Sequence, residues 1–354
     1  MNDHSLSPRL CTAKKIASPS KRLIIDCDPG NGVPGANVDD GIALALALAS
    51  PELTVDMITT VAGNTPSAIG WQVAMSLLNA VGLTLPVYQG ATQALAEPAE
   101  PWRHLLDRRA HADIVNTLWH NTPQPLDFGR PTENAVEAMA HHICRHPGEI
   151  TLVALGPLTN VALALHHYPD MAHCVRDIVI MGGTFDVAGY LKDTNVGMDP
   201  EALHVVLHSG APLTLVPLDV TTKTMLMPED MRRFTEIDTP LARYLATTVA
   251  PWLAYSMSER RLPGCWLHDV LTVAWLLDRE VATADTFRVG IELREGPTRG
   301  RTWRYKPPLN ATVGIPEHTG CLTTVLTQVN NKRLIDLIMQ AVSTPVPFQH
   351  QPVH

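Results

Sequence analysis

Little of this chain is aromatic and little of it is positively charged. Phe, Trp and Tyr make up 5% of its 354 residues, so a core must be built from aliphatic side chains. Lys and Arg number 27 against 35 Asp and Glu, a net charge of -8, which argues against nucleic acid as a partner because phosphate binding needs a basic face. No apolar run reaches the roughly 20 residues that a membrane-spanning helix requires. The longest, Gly41 to Ser50, reads as a buried helix, and no membrane partner is expected. The six cysteines (Cys11, Cys27, Cys144, Cys174, Cys265, Cys321) are scattered without a Cys-x-x-Cys pair. Neither a disulfide framework nor a zinc ribbon is indicated, and reduced thiols in a cytoplasmic protein are expected. Residues 1–20 carry no apolar stretch of the kind a signal peptide needs.

What the chain does have is an alternation of apolar runs and helical patterns. The runs Arg22–Asp26, Leu53–Thr60, Val87–Tyr88, Ile150–Ala154, Asp177–Met181 and Leu213–Pro217 read as strands. Between and after them, Asp39–Ser50, Pro66–Val81, Asn134–Arg145, Leu158–His167, Pro200–His208, Pro228–Thr235, Pro240–Glu259 and His268–Asp278 read as helices. Strands separated by helices of this length imply βαβ units and a parallel sheet. Ala311–Gly314 and Thr323–Val329 have β character, and a helix over Asn331–Val342 closes the fold. The expectation is an α/β protein with a single Rossmann-like domain over residues 21–342. Its mainly parallel sheet is flanked by helices, with loose segments at 1–20 and 343–354.

The most telling stretch is Leu23-Ile24-Ile25-Asp26-Cys27-Asp28-Pro29-Gly30, followed by Asn37-Val38-Asp39-Asp40-Gly41. Four carboxylates crowd one turn at the end of an apolar strand. Like charges this close resist joint ionisation unless a cation joins them, and a hard divalent ion takes carboxylate and carbonyl oxygens. The interval Gly30-Asn31-Gly32-Val33-Pro34-Gly35 also matches the dinucleotide fingerprint G-x-G-x-x-G. Asp28 would repel a pyrophosphate there and Pro34 removes an N–H from the cradle, so the interval reads better as a flexible insertion splitting an acidic site. Ligands of open parallel sheets bind outside the carboxyl ends of the strands. At those ends stand Val61-Ala62-Gly63-Asn64, Leu155-Gly156-Pro157-Leu158-Thr159-Asn160, Met181-Gly182-Gly183, Asp193-Thr194-Asn195 with Asp199-Pro200, and His268-Asp269. Together they supply the amides, carboxylates and histidine of a polar small-molecule site.

These blocks, in this order and over residues 21–330, resemble the inosine–uridine-preferring nucleoside hydrolases. The resemblance implies a Ca²⁺-dependent N-ribohydrolase, a homodimer or homotetramer, that releases ribose and a free base from a nucleoside. Carried over by position, Asp28, Asp40, Asp269 and the main-chain carbonyl of Leu155 would hold Ca²⁺. Asp28 would also act as general base on the metal's water, and His268 would assist the leaving base. Asp39, Asn64 and Asn195 would bind ribose, with Met181 lining its pocket. His111, in Arg109-Ala110-His111-Ala112-Asp113, aligns loosely with a histidine of a loop that closes over the base. The chemistry agrees with this assignment: an oxocarbenium-like state is served by anions beneath the sugar.

The match departs from the family at three places. Asn31–Val38 intervenes in an acidic turn that is compact elsewhere in the family. The position of the family's Glu, two residues before the ribose-binding Asn, holds Asp193. The segment Gly183–Lys192 is shorter, and a further Asn that holds the 5′-hydroxyl has no counterpart. Two rival readings follow: a hydrolase of a non-standard or 5′-modified ribosyl compound, or a non-catalytic nucleoside- or ribose-binding protein.

Overall fold

The computed structural model describes residues 20–96, 100–130, 134–306, 316 and 319–346. The expected arm before Ser20, the tail beyond Val346 and the segment Ala311–Gly314 lie outside these residues.

Nine strands form one sheet. They are β1 Lys21–Cys27, β2 Leu53–Thr60, β3 Val87–Gln89, β4 Ile150–Ala154, β5 Asp177–Met181, β6 Leu213–Val216, β7 Ala282–Ile291, β8 Thr302–Tyr305 and β9 Cys321–Val329. Their order across the sheet is β3-β2-β1-β4-β5-β6-β9-β7-β8. Neighbours from β3 through β9 run parallel, while β7 pairs antiparallel with both β9 and β8. The chain leaves β1 towards β2 and β3 on one side and later returns to β4 on the other. That reversal opens a crevice at the carboxyl ends of β1 and β4, where open α/β sheets bind ligands. The architecture is the mainly parallel, helix-flanked α/β sheet that the alternation of runs implied.

The sheet is buried on both faces, and its central strands accordingly read as unbroken apolar runs. Leu23 and Ile25 face one aliphatic core and Ile24 the other. The helix Asp39–Ala49 is buried at every position. It is apolar nearly all round, as a helix enclosed by other elements must be. It packs mainly on the helices His268–Leu277 and Asn331–Ser343. This packing carries the two acidic residues of its first turn to the crevice.

Two strands were not legible as such. In β7 the residues Thr283–Thr286 are exposed, which breaks the apolar pattern, and β8 is short with mostly part-exposed residues. The stretch Asn31–Val38 corrects a second expectation. It is packed, not flexible: Asn31 and Val38 are buried, and Asn31 Nδ2 donates to Thr248 Oγ1 at 3.0 Å. Gly41 makes room for it, since a Cβ there would lie 1.9 Å from Asn31 Oδ1. The acidic motif is thus split in sequence and rejoined in space.

Candidate active site

The crevice holds a cavity of about 280 Å³ lined by ten of the eleven residues that the sequence marked: Asp28, Asp39, Asp40, Asn64, Leu155, Met181, Asp193, Asn195, His268 and Asp269. The eleventh, His111, is not brought in. It sits exposed in the turn between the helices Glu100–Ala110 and Asp113–Trp119, and the wall on that side is made by Leu106 and Arg109.

The floor is acidic. Asp39, Asp40 and Asp269 each place a carboxylate oxygen within 4.8 Å of the others, all three buried. Asp39 Oδ2 accepts the first amides of the helix His268–Leu277, from His268 (2.8 Å) and Asp269 (3.2 Å). It thereby caps a helix that has no cap of its own. Asp28 is tied to this group through its backbone, whose N–H donates to Asp40 Oδ1 at 3.1 Å. Its own Oδ2 accepts from the Asn64 N–H at 2.6 Å. Gly63 permits that contact, because a Cβ there would lie 1.9 Å from Asp28 Oδ2. The clustered trio therefore contains Asp39 where the resemblance implied Asp28.

Burial pushes the Asp28 carboxyl up to about 7, against the Asn64 hydrogen bond that favours its charge. Asp40 and Asp269 are raised well above the usual carboxylate range by burial first, and then by neighbouring carboxylates: Asp28 and Asp39 for Asp40, and Asp39, Asp40 and Asp28 for Asp269. Asp39 Oδ1 and Asp26 Oδ2 are buried with no hydrogen-bond partner among the described residues. Each ionised carboxylate in such a place costs several kcal/mol unless it is paired. Arranged charges, orphaned oxygens and an all-oxygen donor set fit a hard divalent cation. Asp26 supports the floor from behind: its Oδ1 accepts from Thr59 Oγ1 (2.6 Å) and Asn160 Nδ2 (2.8 Å). Asn160 is a buried strut and not a cavity residue.

The amides on the rim are partly committed. Asn64 donates to the Asn37 carbonyl at 2.9 Å and accepts from the Asn37 N–H at 3.0 Å. Asn195 Nδ2 donates to the carbonyls of Leu155 (2.6 Å) and Met181 (3.2 Å). A carbonyl has a second lone pair, so Leu155 keeps an acceptor site. Asp193 caps the helix Thr194–Met198: its Oδ1 accepts from Val196 N–H (3.1 Å) and its Oδ2 from Gly183 N–H (2.7 Å).

The opposite wall is cationic and aromatic, and the sequence reading missed it. Arg109, Arg260, Trp252, Tyr255 and Tyr190 line the cavity. A signal existed in the helix Pro240–Ser258, where Trp252 and Tyr255 fall three residues apart and share a face. Arg109 carried none. His268 completes this wall, with Nδ1 2.7 Å from Thr221 Oγ1 and its ring edge-on to Trp266. Burial, aided by the nearby Arg260, pushes the imidazole down to about 3. That direction favours the neutral imidazole.

Comparison with known proteins agrees in extent. The family described as "Inosine-uridine preferring nucleoside hydrolase" matches residues 23–336. A pyrimidine-specific ribonucleoside hydrolase RihA of Photobacterium profundum is 34% identical over 333 residues, covering 92% of this chain and 99% of its own. The RihA of Salmonella arizonae is 36% identical over 284 residues, covering 79% and 87%. Among solved structures, a plant nucleoside hydrolase superposes with a TM-score of 0.80 at 28% identity, covering 92% of this chain and 100% of that one. A purine-preferring ribonucleoside hydrolase of Gardnerella vaginalis gives 0.74 at 27%, covering 91% and 98%.

Proposed function

The chain belongs to the inosine-uridine preferring nucleoside hydrolase family, and from that premise we propose that it is a Ca²⁺-dependent ribonucleoside hydrolase with Asp28 as general base. Hydrolysis of an N-glycosyl bond of ribonucleosides is the activity its relatives share. The observation that carries the finer reading is the buried trio Asp39, Asp40 and Asp269 at the switch point of the sheet, facing a cavity of nucleoside size.

Asp40, Asp269 and Asp39 would hold the cation, with Asp28 beside them and the Leu155 carbonyl completing the set. Ca²⁺ suits them because it accepts irregular, high-coordination oxygen shells. When bound, such an ion neutralises the floor and lowers the pKa of water there. Asp28, its Oδ2 fixed by Asn64, presents its other oxygen to take the proton of the attacking water. Asp39 and Asn195 orient the ribose hydroxyls above the floor. As the bond to the base breaks, the sugar turns cationic, and the carboxylates beneath it stabilise that charge. His268, with Nδ1 engaged by Thr221, offers Nε2 to the departing base as a neutral hydrogen-bond partner. Assembly as a homodimer or homotetramer belongs to this reading, as the family resemblance implies.

A second reading concerns the 5′ side. Both carboxylate oxygens of Asp193 accept from backbone amides and the side chain is buried, which commits the carboxylate to capping and makes it a weaker partner for the 5′-hydroxyl than a free carboxylate. The enzyme should therefore tolerate 5′-modified ribosides. One experiment tests both readings: reducing-sugar release from purine, pyrimidine and 5′-deoxy nucleosides, with and without a chelator. Chelator-sensitive ribose release, with 5′-deoxyuridine cleaved within about tenfold of uridine, supports them. Activity indifferent to the chelator contradicts the metal. A loss of several orders of magnitude for 5′-deoxyuridine contradicts the account of Asp193.

A further inference from the structure

Asp28 is held by a peptide group that is itself held by a cation. The N–H of Asn64 donates to Asp28 Oδ2 at 2.6 Å. The carbonyl of the same peptide unit, that of Gly63, points the opposite way across the trans bond and accepts from Arg103 Nη1 at 3.2 Å. Arg103 also reaches the next carbonyl, with Nη1 3.4 Å and Nη2 3.5 Å from the Asn64 oxygen. Its Nε donates to Asp107 Oδ1 at 2.8 Å, one turn further along the helix Glu100–Ala110. One guanidinium thus joins a carboxylate on that helix to both carbonyls of the turn after β2. The pair with Asp107 contributes little to stability, since Arg before Asp is the weaker order on a helix and Asp107 is half-exposed. Its consequence is to aim the guanidinium at the turn. The Asn64 side chain has a separate anchor in the Asn37 backbone. Its main chain, which carries the bond to Asp28, has Arg103.

We infer that Arg103 is a positioning residue for the general base, acting through the Gly63–Asn64 peptide to fix the Asp28 carboxylate with one oxygen bound and the other free for the attacking water. The inference rests on the nucleoside-hydrolase reading and adds to it a residue that does not line the active cavity. Hydrogen bonds in a chain polarise one another. A cation at the Gly63 carbonyl makes the Asn64 N–H a stronger donor, and so tightens its hold on Asp28. A guanidinium in direct contact with Asp28 would compete for the oxygen that must take the proton. One peptide away, it steadies the carboxylate and leaves that oxygen open. The planar fork is suited to the task, because it meets Asp107 and two carbonyls at once, which an ammonium cannot do with fixed geometry.

The test combines kinetics with a spectroscopic readout. Wild type, Arg103→Met, Arg103→Lys and Asp107→Asn are compared at saturating calcium on uridine or inosine, whichever wild type cleaves faster. The Asn64 amide is followed by proton–nitrogen NMR of calcium-loaded protein labelled with 15N-asparagine, its signal assigned by its loss in Asn64→Asp. Arg103→Met should lower kcat about ten- to a hundredfold. KM should stay within about threefold, because the Asn37 backbone still holds the Asn64 side chain. The Asn64 amide proton should move upfield as its hydrogen bond weakens. Arg103→Lys should recover part of kcat, and Asp107→Asn should show a smaller loss of the same kind. A lower melting temperature with unchanged kcat and an unmoved Asn64 amide overturns the inference, as does a loss confined to KM. If Arg103→Met does not fold, wild-type kcat and an unmoved amide in both Arg103→Lys and Asp107→Asn overturn it equally. Each of these leaves nucleoside hydrolysis standing. A wild type that releases ribose from neither nucleoside overturns the nucleoside reading and this inference with it.

Discussion

The sheet carries two groups of charge, one part-exposed and one buried, and they are built on opposite plans. Near the amino ends of β1, β2 and β4, Asp56 meets Arg22 at 2.8 Å and His142 at 2.7 Å, while Arg22 also meets Glu149 at 2.7 Å. Every charge there has a partner on a neighbouring element. At the carboxyl ends, Asp28, Asp39, Asp40 and Asp269 have no cationic partner among the described residues: they meet each other and backbone amides. The first group ties strands together and asks for nothing further. The second is held in place by the same kind of packing yet is electrostatically unfinished, and that is the difference between a structural cluster and a site. Perturbation follows suit. Burial works to raise Asp56, but hydrogen bonds from His142 and Arg22 hold it below the usual carboxylate value. Burial and the charge of neighbouring carboxylates drive Asp40 and Asp269 well above it.

Substitutions should separate the two groups sharply. The largest effect is expected from Asp28→Ala, which removes the general base and should reduce ribose release by roughly a thousandfold or more while the protein stays folded by circular dichroism. Next, Asp40→Ala or Asp269→Ala should abolish calcium binding in titration calorimetry. The metal-free variants should melt no lower than the metal-free wild type, because each removes one charge from a repelling set. In wild type, calcium at a hundredfold excess over Kd should stabilise the fold by about 2.7 kcal/mol, a gain the variants should lack. A smaller effect is expected from His268→Ala. It should slow release of purines and uracil by about ten- to a hundredfold and leave 4-nitrophenyl riboside less affected; an equal loss on both would remove His268 from the leaving-group side.

The matched group should give the reverse pattern. Asp56→Asn should leave kcat/KM for nucleosides within twofold or so and cost about 1–3 kcal/mol of stability at pH 7. The sign with pH follows from the direction of its shift. A carboxyl lowered by folding stabilises the native state above its unfolded pKa of about 4, and that contribution is lost as pH falls through the folded value. The urea midpoints of wild type and Asp56→Asn should therefore converge on acidification. A gap that stays constant down to pH 3 would show that Asp56 acts by packing alone.

What the sequence revealed was the part written in backbone. Strands buried on both faces appear as apolar runs, so β1, β2, β4, β5 and β6 were legible, and a parallel sheet places its ligands at the residues just after them. Ten cavity residues followed from that rule and from the motifs. The rest depends on contacts between distant segments. Nothing local says that Asn31 will tuck against Gly41, or that Asp39 will cap a helix beginning at His268. Arg109 lies on the helix Glu100–Ala110 with Arg103 and Arg108, and nothing local marks it as the arginine of that helix that reaches the cavity. His111 beside it carried the motif-like pattern, and the structure turns it outward. The downward push on the His268 imidazole comes from its burial and from Arg260 nearby, which spacing alone does not reveal.

The central claim is that the carboxyl-end cluster is unfinished without a hard cation and that hydrolysis depends on completing it. It is tested most directly by stripping the protein with a chelator, dialysing, and titrating calcium back while following ribose release from uridine. The account predicts negligible release in stripped protein and a rise to full rate that saturates with one calcium per chain, absent in Asp269→Ala. Full activity in the stripped, calcium-free protein would contradict it.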